Sequence, residues 1–106
     1  MPNWRYEMIT EKQAIKLFES KFWEEMNYEQ KAKFQISEKR LCMPFDIFHE
    51  AVEKYIGRPV FTHEFGLNPD GIMREIYYDN KTPPTFEEII NLIPEKKRLI
   101  VVNTNN

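Results

Sequence analysis

The sequence predicts an α+β fold: one small domain in which about four helices pack on a small two- or three-stranded sheet. Three observations lead there. Segments 3–9, 60–65 and 99–102 carry strand-type patterns, and the stretches between them space their apolar residues as helices do. A chain of 106 residues with 42% hydrophobic content can build one modest core. The mixed order of helix and strand signals is that of helices laid on a sheet. Residues 1–102 are expected to form the domain and residues 103–106 a loose C-terminal tail.

In the first segment Trp4, Tyr6 and Met8 alternate with Arg5 and Glu7, a period of two in strand-favouring residues. Thr10 with Gln13 then makes a capping box, which satisfies two otherwise orphan amides and starts a helix. Ala14, Ile15, Phe18, Phe22 and Met26 recur on one face of that helix and are expected to face the core. Leu17 and Trp23 lie off the stripe, either covered by neighbouring elements or, for Trp23, part of a partner surface. Asn27 with Gln30 offers a second cap, where the helix breaks and resumes to about Phe34. Residues 35–40 are mostly polar and poorly patterned, and read as a connection.

Pro44 suits the first position of the next helix, where its missing amide hydrogen costs nothing, and Asp46 sits near the positive end of the dipole. Phe45, Phe48, Val52, Tyr55 and Ile56 form its buried stripe, and Gly57 can take the left-handed conformation that closes it. Pro59 turns the chain, and Val60 to Phe65 reads as a short strand. Asn68 caps a third helix whose apolar face is Ile72, Met73, Ile76 and Tyr77. Lys81-Thr82-Pro83-Pro84 is a rigid, extended spacer before a third capping box, Thr85 with Glu88, which opens a helix with Phe86, Ile89, Ile90 and Ile93 inward. Pro94 ends that helix, and Leu99 to Val102 is a β-branched run of the kind found in a buried strand.

The charge balance, 15 basic against 17 acidic residues, argues against a dedicated nucleic-acid or membrane-surface protein, whose affinity needs basic excess. A lone cysteine makes no internal disulfide, and no apolar run approaches the length of a membrane span, so a reducing cytoplasm is the expected compartment.

Cys42, His49, His63 and Glu64 are residue types that zinc accepts, but their spacing fits no standard zinc pattern, and neither a metal nor a cofactor is expected. His49 has Asp46 three residues before it and Glu53 four after, all on one helical edge; this is either an oriented base or a surface ion-pair ladder, and the ladder is favoured. The nucleophile elbow, the Walker loop, the dinucleotide fingerprint and the His-Glu-x-x-His pattern do not occur. Arg58 and His63 are expected to fasten their corner of the fold by hydrogen bonds rather than to perform chemistry.

The central stretch also carries a resemblance. Leu41-Cys42, Phe45 and His49, followed by Gly57-Arg58-Pro59-Val60 and Thr62-His63-Glu64, resemble a family of small uncharacterised domains encoded in bacteriophage and prophage genomes. The resemblance implies a phage-type accessory product in a bacterial cytoplasm, with a host or phage protein as partner, and carries no catalytic residue with it. The leading expectation is therefore a non-enzymatic protein-interaction module acting through Trp23 or the Arg58–Glu64 stretch, with His49, Arg58, His63 and Glu64 as binding candidates. The alternative is a small enzyme or metal-binding protein using His49, His63 and Cys42. A weaker one is nucleic-acid binding through the cations of 31–40 or Lys96-Lys97-Arg98.

Overall fold

The computed structural model describes residues 9–38, 40–77, 85–98 and 100, with the side chain of Phe86 excepted. Those residues form six α-helices: α1 (Glu11–Ser20), α2 (Tyr28–Ser37), α3 (Phe45–Ile56), α4 (Glu64–Leu67), α5 (Pro69–Tyr77) and α6 (Phe86–Ile90), with 3-10 turns at Phe22–Glu25 and Glu95–Lys97. This is an all-α architecture, and the expected α+β fold is corrected. Sheet-type backbone among the described residues is limited to a one-residue bridge at Glu38. The expected strand at 3–9 lies outside the described residues except for Ile9, as do the Pro-Pro spacer and the tail. Of the expected strand at 99–102 only Ile100 is described, and its backbone is helical.

The expected strand Val60–Phe65 is overturned directly. Its composition suits a strand, yet its backbone groups find their partners nearby instead of across a ladder. Phe61, Thr62 and His63 carbonyls accept from the amides of Glu64 (2.9 Å), Phe65 (3.2 Å) and Leu67 (2.9 Å), which winds the chain into α4. With those acceptors occupied by local donors there is little left for a neighbouring strand to pair with.

Local end signals behave as their chemistry requires. Thr10 and Gln13, Asn27 and Gln30, and Thr85 and Glu88 each form a reciprocal capping box. Gly57 closes α3 at φ 78°, and its amide donates back to the Glu53 carbonyl. The Asn68 side-chain oxygen accepts from the Gly71 amide at 3.2 Å at the start of α5. A Cβ at position 71 would lie 2.3 Å from the Asn68 Nδ2, so the glycine there makes room for the cap.

The core is built on α2, which packs chiefly against α3 and also meets α5 and α6. Ala32, Phe34 and Ile36 from α2 meet Phe48 and Val52 of α3, Ile72, Met73 and Ile76 of α5, and Ile89 and Ile93 around α6. The buried faces expected for α5 and for Ile89, Ile90 and Ile93 are as read from the sequence.

Two readings shift. The apolar stripe through α1 assumed a continuous helix, but Lys21 takes the left-handed conformation (φ 54°) and ends α1 after Ser20. The break rotates the chain, so Phe22 and Trp23 enter the core, Leu17 becomes fully buried, and Ile15 and Phe18 are left outside. Residues 35–37, read as connection, are the last turn of α2, and Gln35, Ser37 and Glu38 are buried polar residues. Gln35 explains how that is tolerated. Its Nε2 donates to the carbonyls of Glu38 (3.2 Å) and Arg40 (2.8 Å), and its Oε1 accepts from the Cys42 amide (2.8 Å). One side chain thus holds the turn from α2 towards α3. Ser37, Tyr77 and the Lys33 carbonyl form a second buried set at 2.8–3.1 Å, in which two hydroxyl protons serve three oxygens. No described helix is long and apolar enough to cross a membrane.

Candidate functional site

Beyond Gly57 the chain makes a corner that its own backbone hydrogen bonds wind and that side chains fasten to α3 and α5. His49 and Glu53, one turn apart on α3, grip the two backbone groups of Val60: the His49 Nε2–H donates to its carbonyl, and its amide donates to Glu53 Oε2 at 2.8 Å. Since a carbonyl can only accept, the proton resides on Nε2 in the neutral ring. Glu53 also stands 3.4 Å from His49 Nε2. Asp46 is not part of this set. On the edge expected to be an ion-pair ladder or an oriented base, His49 and Glu53 do pair, and both also clamp the Val60 backbone.

Arg58 fastens the same corner to α5. Its Nε and Nη2 donate to the two carboxylate oxygens of Glu75 at 2.9 and 2.7 Å, a bidentate pair, while Nη1 donates to the Pro59 carbonyl (2.9 Å) and to Glu64 Oε2 (3.3 Å). Glu64 Oε2 in turn accepts from the Phe61 amide at 3.2 Å. The hydrogen bonds with Glu75 hold the guanidinium proton more firmly than usual, and the same bonds lower the Glu75 carboxyl below its ordinary value. The expectation that Arg58 fastens this corner describes its geometry. The histidine that shares the task is His49, whereas His63 is exposed.

Two large apolar side chains stand among what the corner presents to solvent, beside the exposed Thr62 and His63. Phe61 is 68% exposed and Leu67 80% exposed. The His63 ring stacks on Phe61, with centroids 5.6 Å apart and planes 13° from parallel. Phe65 points the other way, packing on Phe45 and Phe48 and against the His49 ring at centroid distances of 5.1–5.5 Å. The corner therefore has an anchored inner side and an aromatic outer side.

The residues of the enzyme or metal alternative are not brought together by their contacts. Cys42 is fully buried, its thiol donating to the Arg40 carbonyl (3.4 Å) and pushed up to about 12 by desolvation and by Glu38. His49 holds Val60, and His63 lies on Phe61. Among the described residues no group of three or more His, Cys, Asp or Glu could hold a metal ion. Of the cations weighed for nucleic-acid binding, Lys33 pairs with Glu29 at 2.6 Å, Arg40 donates to the Ile9 carbonyl (3.2 Å), and Arg98 to those of Ile93 and Asn91.

A second surface was not apparent from periodicity. Trp23, only 8% exposed, lies beneath Phe18, with ring centroids 5.4 Å apart in an edge-on arrangement. The tryptophan supports a surface rather than forming one. Above it Ile15 (52% exposed), Phe18 (41%) and Leu41 (50%) line an open groove of about 410 Å³ between α1 and the Arg40–Leu41 turn. No sequence signal marks it, because Lys21, whose left-handed backbone stops α1 and keeps Ile15, Phe18 and Phe22 off one buried face, is not a glycine.

No curated protein and no solved structure matches the chain. Residues 28–76, which run from the start of α2 into the last turn of α5 and contain the whole Arg58–Leu67 corner, match the family model described as Domain of unknown function (DUF7736).

Proposed function

We propose that the chain is a non-enzymatic protein-interaction module whose contact surface is the outer side of the Phe61–Leu67 corner. One observation carries this reading: two large apolar side chains, 68% and 80% exposed, stand on a corner whose backbone is held from inside by His49, Glu53, Arg58 and Glu64. Exposed apolar groups on a pre-ordered loop lose little conformational entropy on binding, which is how aromatic anchors become the dominant contacts of an interface. The resemblance of the Gly57–Glu64 string to phage and prophage domains supports a host or phage protein as partner, in a bacterial cytoplasm. Such a partner offers an apolar pocket that takes Phe61 with His63 stacked behind it.

The test places a photo-activated benzophenone amino acid at position 61 of the full chain in a bacterial host, with position 50 on the exposed side of α3 as control. A discrete protein adduct at 61 and none at 50 is expected. Phe61→Ser and Leu67→Ser should leave folding stability within about 0.5 kcal/mol, as exposed positions do, while abolishing the adduct formed from a probe at position 63. An adduct yield at 61 no higher than at 50, or a loss of stability like that of a core truncation, refutes the reading.

A further inference from the structure

One residue holds both backbone groups of the exposed Phe61. The Glu64 amide donates to the Phe61 carbonyl at 2.9 Å, and the Phe61 amide donates back to Glu64 Oε2 at 3.2 Å. The second bond is the returning half of a capping box, in which the residue three positions on reaches back to the amide that opens the turn. The first is accepted by a carbonyl because Phe61 has no side-chain oxygen to offer. Each bond fixes one of the two peptide planes that flank the Phe61 Cα, and those planes set the direction in which the side chain leaves. The same Glu64 oxygen accepts from Arg58 Nη1 at 3.3 Å, and Arg58 is joined to α5 by its bidentate bond to Glu75. Phe61 is therefore tied to α5 through Glu64, Arg58 and Glu75 in series. The Glu64 side chain is only 29% exposed, against 68% for Phe61.

We propose that Glu64 is a positioning residue of the corner interface, an assignment that rests on the corner reading: it does not meet the partner but aims Phe61 at it. Its Oε2 is already engaged by a guanidinium and an amide, and stripping those bonds to pair with a partner cation would cost what the new pair returned. An aromatic anchor held in its bound direction, by contrast, keeps the binding energy that ordering would otherwise consume. What the turn needs at position 64 is an acceptor of the right reach rather than a charge. Glutamine supplies that acceptor and alanine does not.

The test compares the parent, Glu64→Gln and Glu64→Ala in the full chain. Backbone nitrogen-15 relaxation reads the order of the Phe61 amide in purified protein, and a benzophenone amino acid at position 63 reads the initial rate of adduct formation in a bacterial host. The Phe61 order parameter should be about 0.85 in the parent and in Glu64→Gln, and below about 0.6 in Glu64→Ala. The adduct rate should fall roughly tenfold in Glu64→Ala, the cost of ordering about one residue, and stay within about twofold in Glu64→Gln. The urea midpoint should be the same in all three. A Phe61 amide as ordered in Glu64→Ala as in the parent overturns the proposal. So does an adduct lost equally in Glu64→Gln, which would make Glu64 a direct ionic contact, or a midpoint that falls with the adduct, which would make it a support of the fold alone. A parent that gives no adduct at 61 or 63 removes the corner reading itself, whereas an adduct formed equally fast in parent and Glu64→Ala removes only the role of Glu64.

Discussion

Replacing Gln35 by methionine tests how this fold tolerates a polar residue at its centre. Methionine has similar length and no strong donor or acceptor, so the substitution removes three hydrogen bonds and little volume. The largest loss is at Cys42, whose amide lies in a fully buried residue and donates to Gln35 at 2.8 Å. Leaving such a group without an acceptor costs about 1–3 kcal/mol. The Glu38 and Arg40 carbonyls each lose a donor, and Arg40 keeps only the long thiol contact from Cys42, which adds about 0.5–1 kcal/mol apiece. Burying the more apolar methionine recovers about 1 kcal/mol. The balance is a loss of about 1–4 kcal/mol, centred on about 2.5 kcal/mol, where the fall in Tm is about 10–20 °C for a domain of this size. Urea denaturation followed by circular dichroism reads it as a lower midpoint at unchanged slope. Gln35→Glu keeps the acceptor for Cys42 but sets a carboxylate against two carbonyls and near Glu38, so it should be at least as harmful. A shift below about 0.5 kcal/mol for Gln35→Met would refute the view that one side chain holds this turn.

Two further outcomes are expected. Cys42, buried with its thiol at about 12, should resist alkylation at pH 8 in the folded protein and react once the chain is unfolded in denaturant. The folded thiol holds its proton after the unfolded one has lost it, so stability present below the ordinary thiol value is lost as pH rises towards about 12, at up to about 1.4 kcal/mol per pH unit. Cys42→Ala should remove that part of the alkaline slope and leave the part due to Tyr77, whose hydroxyl is likewise raised by burial to about 12. Equal slopes in parent and variant would contradict this. Gly57→Ala should cost about 1 kcal/mol in urea unfolding purely through backbone strain at φ 78°, because nothing lies within 4 Å of the added carbon, and Gly57→Asn should cost less. An alanine variant as stable as the parent would show that the left-handed cap is not required.

Much of the helical framework was legible because its signals are local. A capping residue and its partner three positions on meet across a single turn, so Thr10, Asn27 and Thr85 announce their helices whatever surrounds them. The faces of α3 and α5 were readable for a related reason: each runs unbroken for about three turns with one apolar side. The strand at Val60–Phe65 misled because β-branched and aromatic residues report suitability for a half-buried surface, not the presence of a neighbour to pair with. The α1 stripe misled because one left-handed residue, Lys21, ended the helix without a glycine to mark it. Of the candidate site, the fastening role of Arg58 was readable from its place between Gly57 and Pro59. The role of His49 was not, since its partner is a backbone carbonyl eleven residues away, which no side-chain pattern encodes.

The sequence by itself determined where α1, α2, α3, α5 and α6 begin and that Gly57 ends α3, that the lone cysteine forms no internal disulfide, and that no familiar catalytic motif is present. These depend on contacts within one turn or on composition. Only the tertiary structure decided that the layers are helix on helix, that Gln35 lies buried between α2 and the turn after it, and that Trp23 supports a surface it does not form. It also decided which apolar residues stay outside: Phe61 and Leu67 on the latched corner, Ile15, Phe18 and Leu41 along the α1 groove. Exposure is a property of what packs against a residue, and that is set by elements distant in the chain.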